Sequence, residues 1–328
     1  MKRAILLLVL LTRPLMAAEP GKQGPELKDG DVVALIGGGF IEREGQYGYI
    51  ETALTARYAD RDIKFRNLGW SGDTVWCESR AYFGTPEDGF KHLLEHVDLV
   101  KPTVIIVNYG GNEAFAGETG LAKFVEGYNR LLDELEKRTK RVVLLSPTPL
   151  ERLPDQPEPL EQNRFLKLYT DTIAMLAVKR GYSFIDLFEG LSRRSQRQPI
   201  TYNGVHLNEQ SLRWVGAMIA TSFVPMPGFD EEELFPGATI SGSEALAIET
   251  RKAISEKLRR MIIERNELFF HRHRPQNETY LRGFRKHEQG NNAVEIYEFE
   301  KLVAEKEAEI ARLRGELLKA LQSKEGGK

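Results

Sequence analysis

The sequence is short of the features that would narrow its chemistry at once. It holds one cysteine, Cys77, so no intrachain disulfide can form. Neither sign of charge is in excess. The net charge is −2 and the isoelectric point about 6.4, which gives no electrostatic footing for nucleic acid or an anionic membrane. Long hydrophobic runs are missing too. The longest, Ala4 to Leu11, falls far short of the roughly 20 residues a membrane-spanning helix needs, so no membrane span is expected. His271 and His273 stand one residue apart without a neighbouring acid or cysteine cluster, and no metal or organic cofactor is implied.

What is present begins with a patterned N-terminus. Lys2 and Arg3 precede the apolar run, and Met16-Ala17-Ala18 supplies small residues before Glu19-Pro20. This is the pattern of a secretory signal over residues 1–18, cut near Ala18. It predicts a periplasmic or secreted protein. Residues 19–30 read as a polar linker.

From Asp31 short apolar runs alternate with longer amphipathic stretches. Runs at Val32–Ile36, Ile63–Asn67, Thr103–Val107, Val142–Leu145 and Tyr182–Ile185 read as strands. Several are apolar at consecutive positions, as suits strands covered on both faces. Helical patterns lie between and after them, at Tyr47–Tyr58, Gly89–Val97, Leu121–Lys140, Leu160–Arg180 and Glu209–Phe223. Such alternation implies right-handed crossovers and one five-stranded parallel sheet between two layers of helices, over residues 31–224. Residues 225–243 form a Pro/Gly/acidic connector. Residues 244–328 are a charged helical extension, with helices expected at Ser243–Phe270 and Glu298–Leu321. Phe299, Leu302, Ile310, Leu313 and Leu317 make a stripe on the latter, suited either to packing on the core or to a homo-oligomer. The Arg-rich stretch Arg272–Lys286 is expected to be solvated or to pack between domains.

Polar and glycine-rich segments follow the first three strands and so fall at the carboxyl edge of the sheet, where such folds bind ligands. They are Gly37-Gly38-Gly39-Phe40, Ser71-Gly72-Asp73-Thr74 and Gly110-Gly111-Asn112-Glu113. Asn203-Gly204-Val205-His206 comes much later, before the last helix of the core. In order and spacing these blocks resemble the SGNH/GDSL hydrolase superfamily over about residues 31–223. That family reads Gly-Asp-Ser, Ser-Gly-Asp-Thr, Gly-Gly-Asn-Asp and Asp-x-x-His. The resemblance implies a flavodoxin-like α/β/α fold and hydrolysis of ester or acyl groups, with a small-molecule or glycan ester as substrate.

The resemblance also assigns roles. The backbone N–H groups of Gly72 and Gly39 and the side-chain amide of Asn112 would form an oxyanion hole, and His206 would be the general base. One such donor is worth about 3 kcal/mol of transition-state stabilisation. Two positions depart from the pattern. Gly39 stands where the nucleophilic serine is expected, and Asn203 where the acid that supports the histidine is expected. Three uses follow. In one, a water occupies the space beside Gly39 and His206 activates it, or Ser71, Ser146 or Cys77 replaces the nucleophile. In another, the pocket binds an acylated glycan or similar ligand without cleaving it. In the third, the chain is an exported scaffold whose C-terminal helices gather partners. Glu113 is expected to brace its loop through backbone hydrogen bonds, and Cys77 to be a small buried residue.

Overall fold

The computed structural model describes residues 24–223, 243–276, 278–281, 283–288 and 292–322. The predicted signal segment 1–18, the first part of the 19–30 linker and almost all of the 225–243 connector lie outside the described residues.

Five strands form one parallel sheet: β1 (Val32–Gly37), β2 (Lys64–Gly69), β3 (Val104–Asn108), β4 (Val142–Leu145) and β5 (Ser183–Ile185). Their order is β2-β1-β3-β4-β5. The central strands β1 and β3 are rich in Val, Ile and Leu, and β3 is buried at every position. Successive side chains of β1 go to opposite faces, as a pleated strand requires. Val33 and Leu35 join one apolar cluster, and Ala34 and Ile36 join the other.

The helices are α1 (Gly39–Tyr47), α2 (Tyr49–Arg57), α3 (Pro86–Val100), α4 (Leu121–Glu136), α5 (Leu160–Arg180), α6 (Leu187–Ser195) and α7 (Glu209–Phe223). They are followed by α8 (Ser243–His273), the single turn α9 (Glu278–Leu281) and α10 (Glu298–Gln322). Phe90, Leu131 and Ile173, from α3, α4 and α5, pack with the Ile36 face, while Leu54 of α2 and Val215 of α7 pack with the Leu35 face. The helix expected at Tyr47–Tyr58 is α2, and a further helix, α1, precedes it. Gly48 adopts the left-handed conformation (φ 69°), and its N–H caps the carbonyl of Glu44 as the chain turns into α2.

The C-terminal helices are built into the same core. Leu258 and Ile262 of α8, with Ile310, Leu313 and Leu317 of α10, are buried in the cluster that holds Val33 and Leu35. Each such side chain contributes about 1.5–3 kcal/mol by leaving water. A buried polar cluster ties the seam. Arg265 pairs with Glu51, and Asn266 Nδ2 donates to Glu51 Oε1 at 2.8 Å. Arg66 Nη1 lies 2.5 Å from Glu307 Oε1. The guanidinium groups of Arg66 and Arg265 both donate to the carbonyl of Phe65 on β2, an edge strand of the sheet. No helix among the described residues is long and apolar enough to cross a membrane.

Candidate functional site

The site begins where β1 hands over to α1. A side chain on Gly37 would place its Cβ 2.4 Å from the carbonyl oxygen of Asn108 on β3, so the strand can close on its neighbour only with glycine there. Gly38 is the N-cap of α1 and Gly39 its first residue. The first amides of a helix have no partner four residues back, so the N–H groups of Gly39 and Phe40, with no hydrogen bond to a loop among the described residues, can meet a ligand. Position 39 is open. A Cβ there would find Ser71 Oγ at 3.7 Å as its nearest neighbour, an ordinary contact, so a serine would fit without strain.

Ser71 is itself engaged. Its Oγ donates to Glu42 Oε1 at 2.6 Å and its backbone N–H to Glu42 Oε2 at 2.9 Å. Burial pushes the Glu42 carboxyl up, but the Ser71 hydrogen bonds and the Arg274 guanidinium together hold it below the usual range. Gly72 occupies the corner of a turn closed by Asp73 N–H donating to Trp70 O at 3.0 Å, and has φ 76°. Asp73 is buried, with Oδ2 accepting from Arg80 Nε at 2.6 Å and from Tyr109 Oη at 2.9 Å. Its charge is therefore met by Arg80, and its backbone is held for the next contact. Asn112 Nδ2 donates to Asp73 O at 2.8 Å, which leaves one amide proton over. That nitrogen lies 3.7 Å from where a Cβ on Gly38 would sit, which puts the amide beside the helix N-terminus.

Glu113 braces these loops. Its two oxygens accept from Val75 N–H at 2.8 Å and Gly110 N–H at 2.9 Å, and burial pushes its carboxyl up to about 7.

The contacts around His206 select one tautomer of the neutral ring. Asn203 Oδ1 accepts from the backbone N–H groups of His206 at 2.8 Å and Val205 at 3.2 Å. The amide nitrogen of Asn203 is thereby turned to His206 Nδ1, at 2.9 Å. An amide nitrogen only donates, so Nδ1 must carry a lone pair and the ring proton sits on Nε2. Flipping the amide would oppose its N–H groups to two backbone donors. Protonation of the ring is opposed by burial and by the nearby Arg43 cation, which lower its pKa. His206 stacks on Tyr202 with centroids 5.8 Å apart, and the Arg43 guanidinium lies 5.5 Å from the Tyr202 ring centre.

Gly38, Gly39, Arg43, Asn112, Glu113 and His206 line one cavity of about 140 Å³, with Phe40, Leu150, Leu166 and Leu212 among its apolar walls. Of the residues expected from sequence, Gly39, Asn112 and His206 meet there. Asn203 stands behind His206, against its Nδ1. Gly72 is not among the lining residues, although its neighbour Asp73 is. Arg43 was not foreseen. It follows Gly39 by four residues on α1 and so shares its face, the one signal that could have revealed it.

Other candidates have structural surroundings. Ser146 is buried, and its Oγ accepts from Phe188 N–H at 2.9 Å and donates to Pro147 O at 3.1 Å. Cys77 is fully buried, and desolvation raises its thiol pKa, which keeps it protonated. His273 is buried with Nδ1 at 2.8 Å from Phe269 O, and burial lowers its pKa to about 4. Within the Arg-rich stretch, Arg272 pairs with Glu300, Arg274 with Glu42 and Arg285 with Glu288.

Comparison with solved structures finds the same architecture. BT4096, a gut microbial diltiazem-metabolizing enzyme, aligns over 90% of this chain and 97% of its own, with TM-score 0.59 and 11% identity. A catalytic mutant of Axe2, an acetylxylan esterase from Geobacillus stearothermophilus, aligns over 63% of this chain and 98% of its own, with TM-score 0.50 and 17% identity. At these identities the likeness concerns the fold. No curated protein matches the sequence. Residues 36–213, more than half of the chain, match the model of the GDSL-like Lipase/Acylhydrolase family, and the chain belongs to that family.

Proposed function

We propose that this member of the family uses its pocket to bind an acyl-type ligand, borne on a small molecule or a glycan, without cleaving it. The observation that carries this reading is the amide nitrogen of Asn203 against Nδ1 of His206. A general base must offer a lone pair at Nε2, and here that nitrogen holds the proton. In a Ser-His-Asp enzyme the same Asp→Asn change lowers kcat about 10⁴-fold through the wrong tautomer. Loss of the serine costs about 10⁶-fold. A water beside Gly39 would meet the same obstacle, because His206 presents it a donor. The donors at Asn112 and the α1 N-terminus are retained, which suits recognition of a carbonyl group. The pattern at Lys2–Ala18 adds export to the reading, and with it carbohydrate acyl groups as the ligand class.

The test is to restore the missing chemistry. The wild type is expected to hydrolyse 4-nitrophenyl acetate and acetylated xylo-oligosaccharides at the buffer rate. The double variant Gly39→Ser, Asn203→Asp is expected to gain turnover at least tenfold above its parent, and a further His206→Ala change to remove it. Wild-type turnover that disappears in His206→Ala would instead establish an active hydrolase.

A further inference from the structure

The cavity has become a cluster of donors, and that points to a ligand group more specific than a carbonyl. Gly39 and Phe40 present helix N-terminal N–H groups at its wall. Asn112 has an amide proton beyond the one given to Asp73 O. His206 holds its proton on Nε2, a nitrogen with no protein partner among the described residues. Arg43 also lines the cavity, one helical turn from Gly39, and makes no ion pair or hydrogen bond among the described residues; its neighbour is the Tyr202 ring.

The negative side chains in the wall do not cancel that cation. Asp73 is matched by Arg80 at 2.6 Å, and each oxygen of Glu113 is taken by a backbone N–H. A neutral ester would leave the guanidinium, which is half-buried, to water and the Tyr202 ring. A carboxylate offers two anionic oxygens, one for the Asn112 and helix N–H donors and one for the Nε2–H or the planar fork of Arg43. The walls of Phe40, Leu150, Leu166 and Leu212 can take the carbon frame of a small acid, and a 150 Å³ cavity is known to hold a benzene-sized guest.

We propose that the pocket selects a carboxylate, the free acid of a compound no larger than a benzoate or a single sugar acid, and that Arg43 is the residue that sets this choice. The proposal rests on the non-hydrolytic reading above. Calorimetric titration of the full chain with benzoate, benzamide and methyl benzoate compares one shape in three charge and donor states. Glucuronate against glucose asks the same of a sugar source.

The acids are expected to bind at least tenfold more tightly than their neutral counterparts. The stronger of benzoate and glucuronate identifies the source. Arg43→Met is expected to remove that preference with little change in melting temperature, since the guanidinium's one partner among the described residues is the face of the Tyr202 ring, and Arg43→Lys to restore part of it. Equal binding of acid and neutral partners, acid preference surviving in Arg43→Met, or binding by none of the probes would overturn the proposal. Release of methanol from methyl benzoate, dependent on His206, would overturn the non-hydrolytic reading and is scored separately from affinity.

Discussion

At the scale of single residues, the site is governed by the direction of one amide. Asn203 has the size of the expected aspartate, and it keeps the two backbone hydrogen bonds that hold the loop. It reverses the polarity of the third contact, to His206 Nδ1. Replacing it by aspartate would give Nδ1–H a charged acceptor and favour the imidazolium. The His206 pKa, lowered in the wild type by burial and Arg43, is therefore expected to rise by more than one unit in Asn203→Asp. Titration of the ring protons by NMR measures this, and an unchanged pKa would mean that the amide does not face the ring. The absence of serine at position 39 and of aspartate at 203 could be read directly from the motifs, because each motif has a fixed slot to compare with. Arg43 could not. A charged residue between Glu42 and Glu44 looks like any solvated helix surface until the face of the helix is known.

At the scale of elements, the α1–α2 corner departs most from what the sequence suggested. The apolar residues from Tyr47 onward carry a helical period, while the glycines at 37 to 39 resemble a plain turn. The chain instead starts a helix at Gly39 and breaks it at Gly48. Glu44 then folds under the corner, and its Oε1 accepts from Ile50 N–H at 2.5 Å. Desolvation, with the nearby Glu51 charge adding to it, raises the Glu44 carboxyl to about 8. Because the folded pKa lies above the unfolded value, the contribution of this group to stability is complete below pH ~4.5. It declines as pH rises toward 8, at up to about 1.4 kcal/mol per pH unit. Glu44→Gln keeps the acceptor oxygen and removes the ionisation. Its melting temperature is expected to exceed the wild type's by several degrees at pH 8.5 and to match it near pH 4.5. A constant difference across that range would show that Glu44 does not titrate with folding.

At the scale of the whole molecule, α8 and α10 complete a core that the sequence presented as an appendage. Hydrophobic spacing located both helices and the part of the stripe at Ile310, Leu313 and Leu317, whereas Leu302 is exposed, Phe299 is half-buried and Val303 takes the inward position. It could not say what covers the stripe, because α10 packs on α8 and on α2, and α8 packs in turn on α2 and β2, far earlier in the chain. The seam also buries charge, which composition does not reveal. Arg265 lies between Glu51 and Glu307 with almost no exposure. Arg265→Met would leave the buried Glu51 carboxylate without its cation, Glu307 keeping Arg66, and is expected to lower the unfolding free energy by about 3–5 kcal/mol. Urea denaturation followed by circular dichroism measures the change, and a loss below 1 kcal/mol would mean that water reaches the seam.

The arginines on the Phe65 carbonyl have a consequence for how these molecules behave in company. An edge strand is a template on which a strand from another chain can be laid down, the first step toward fibrils. Here the incoming backbone would have to displace two guanidinium groups from that carbonyl and push past α8. The opposite border, β5, is only three residues long. Crowded solutions of this protein should therefore stay free of sheet-extended polymers.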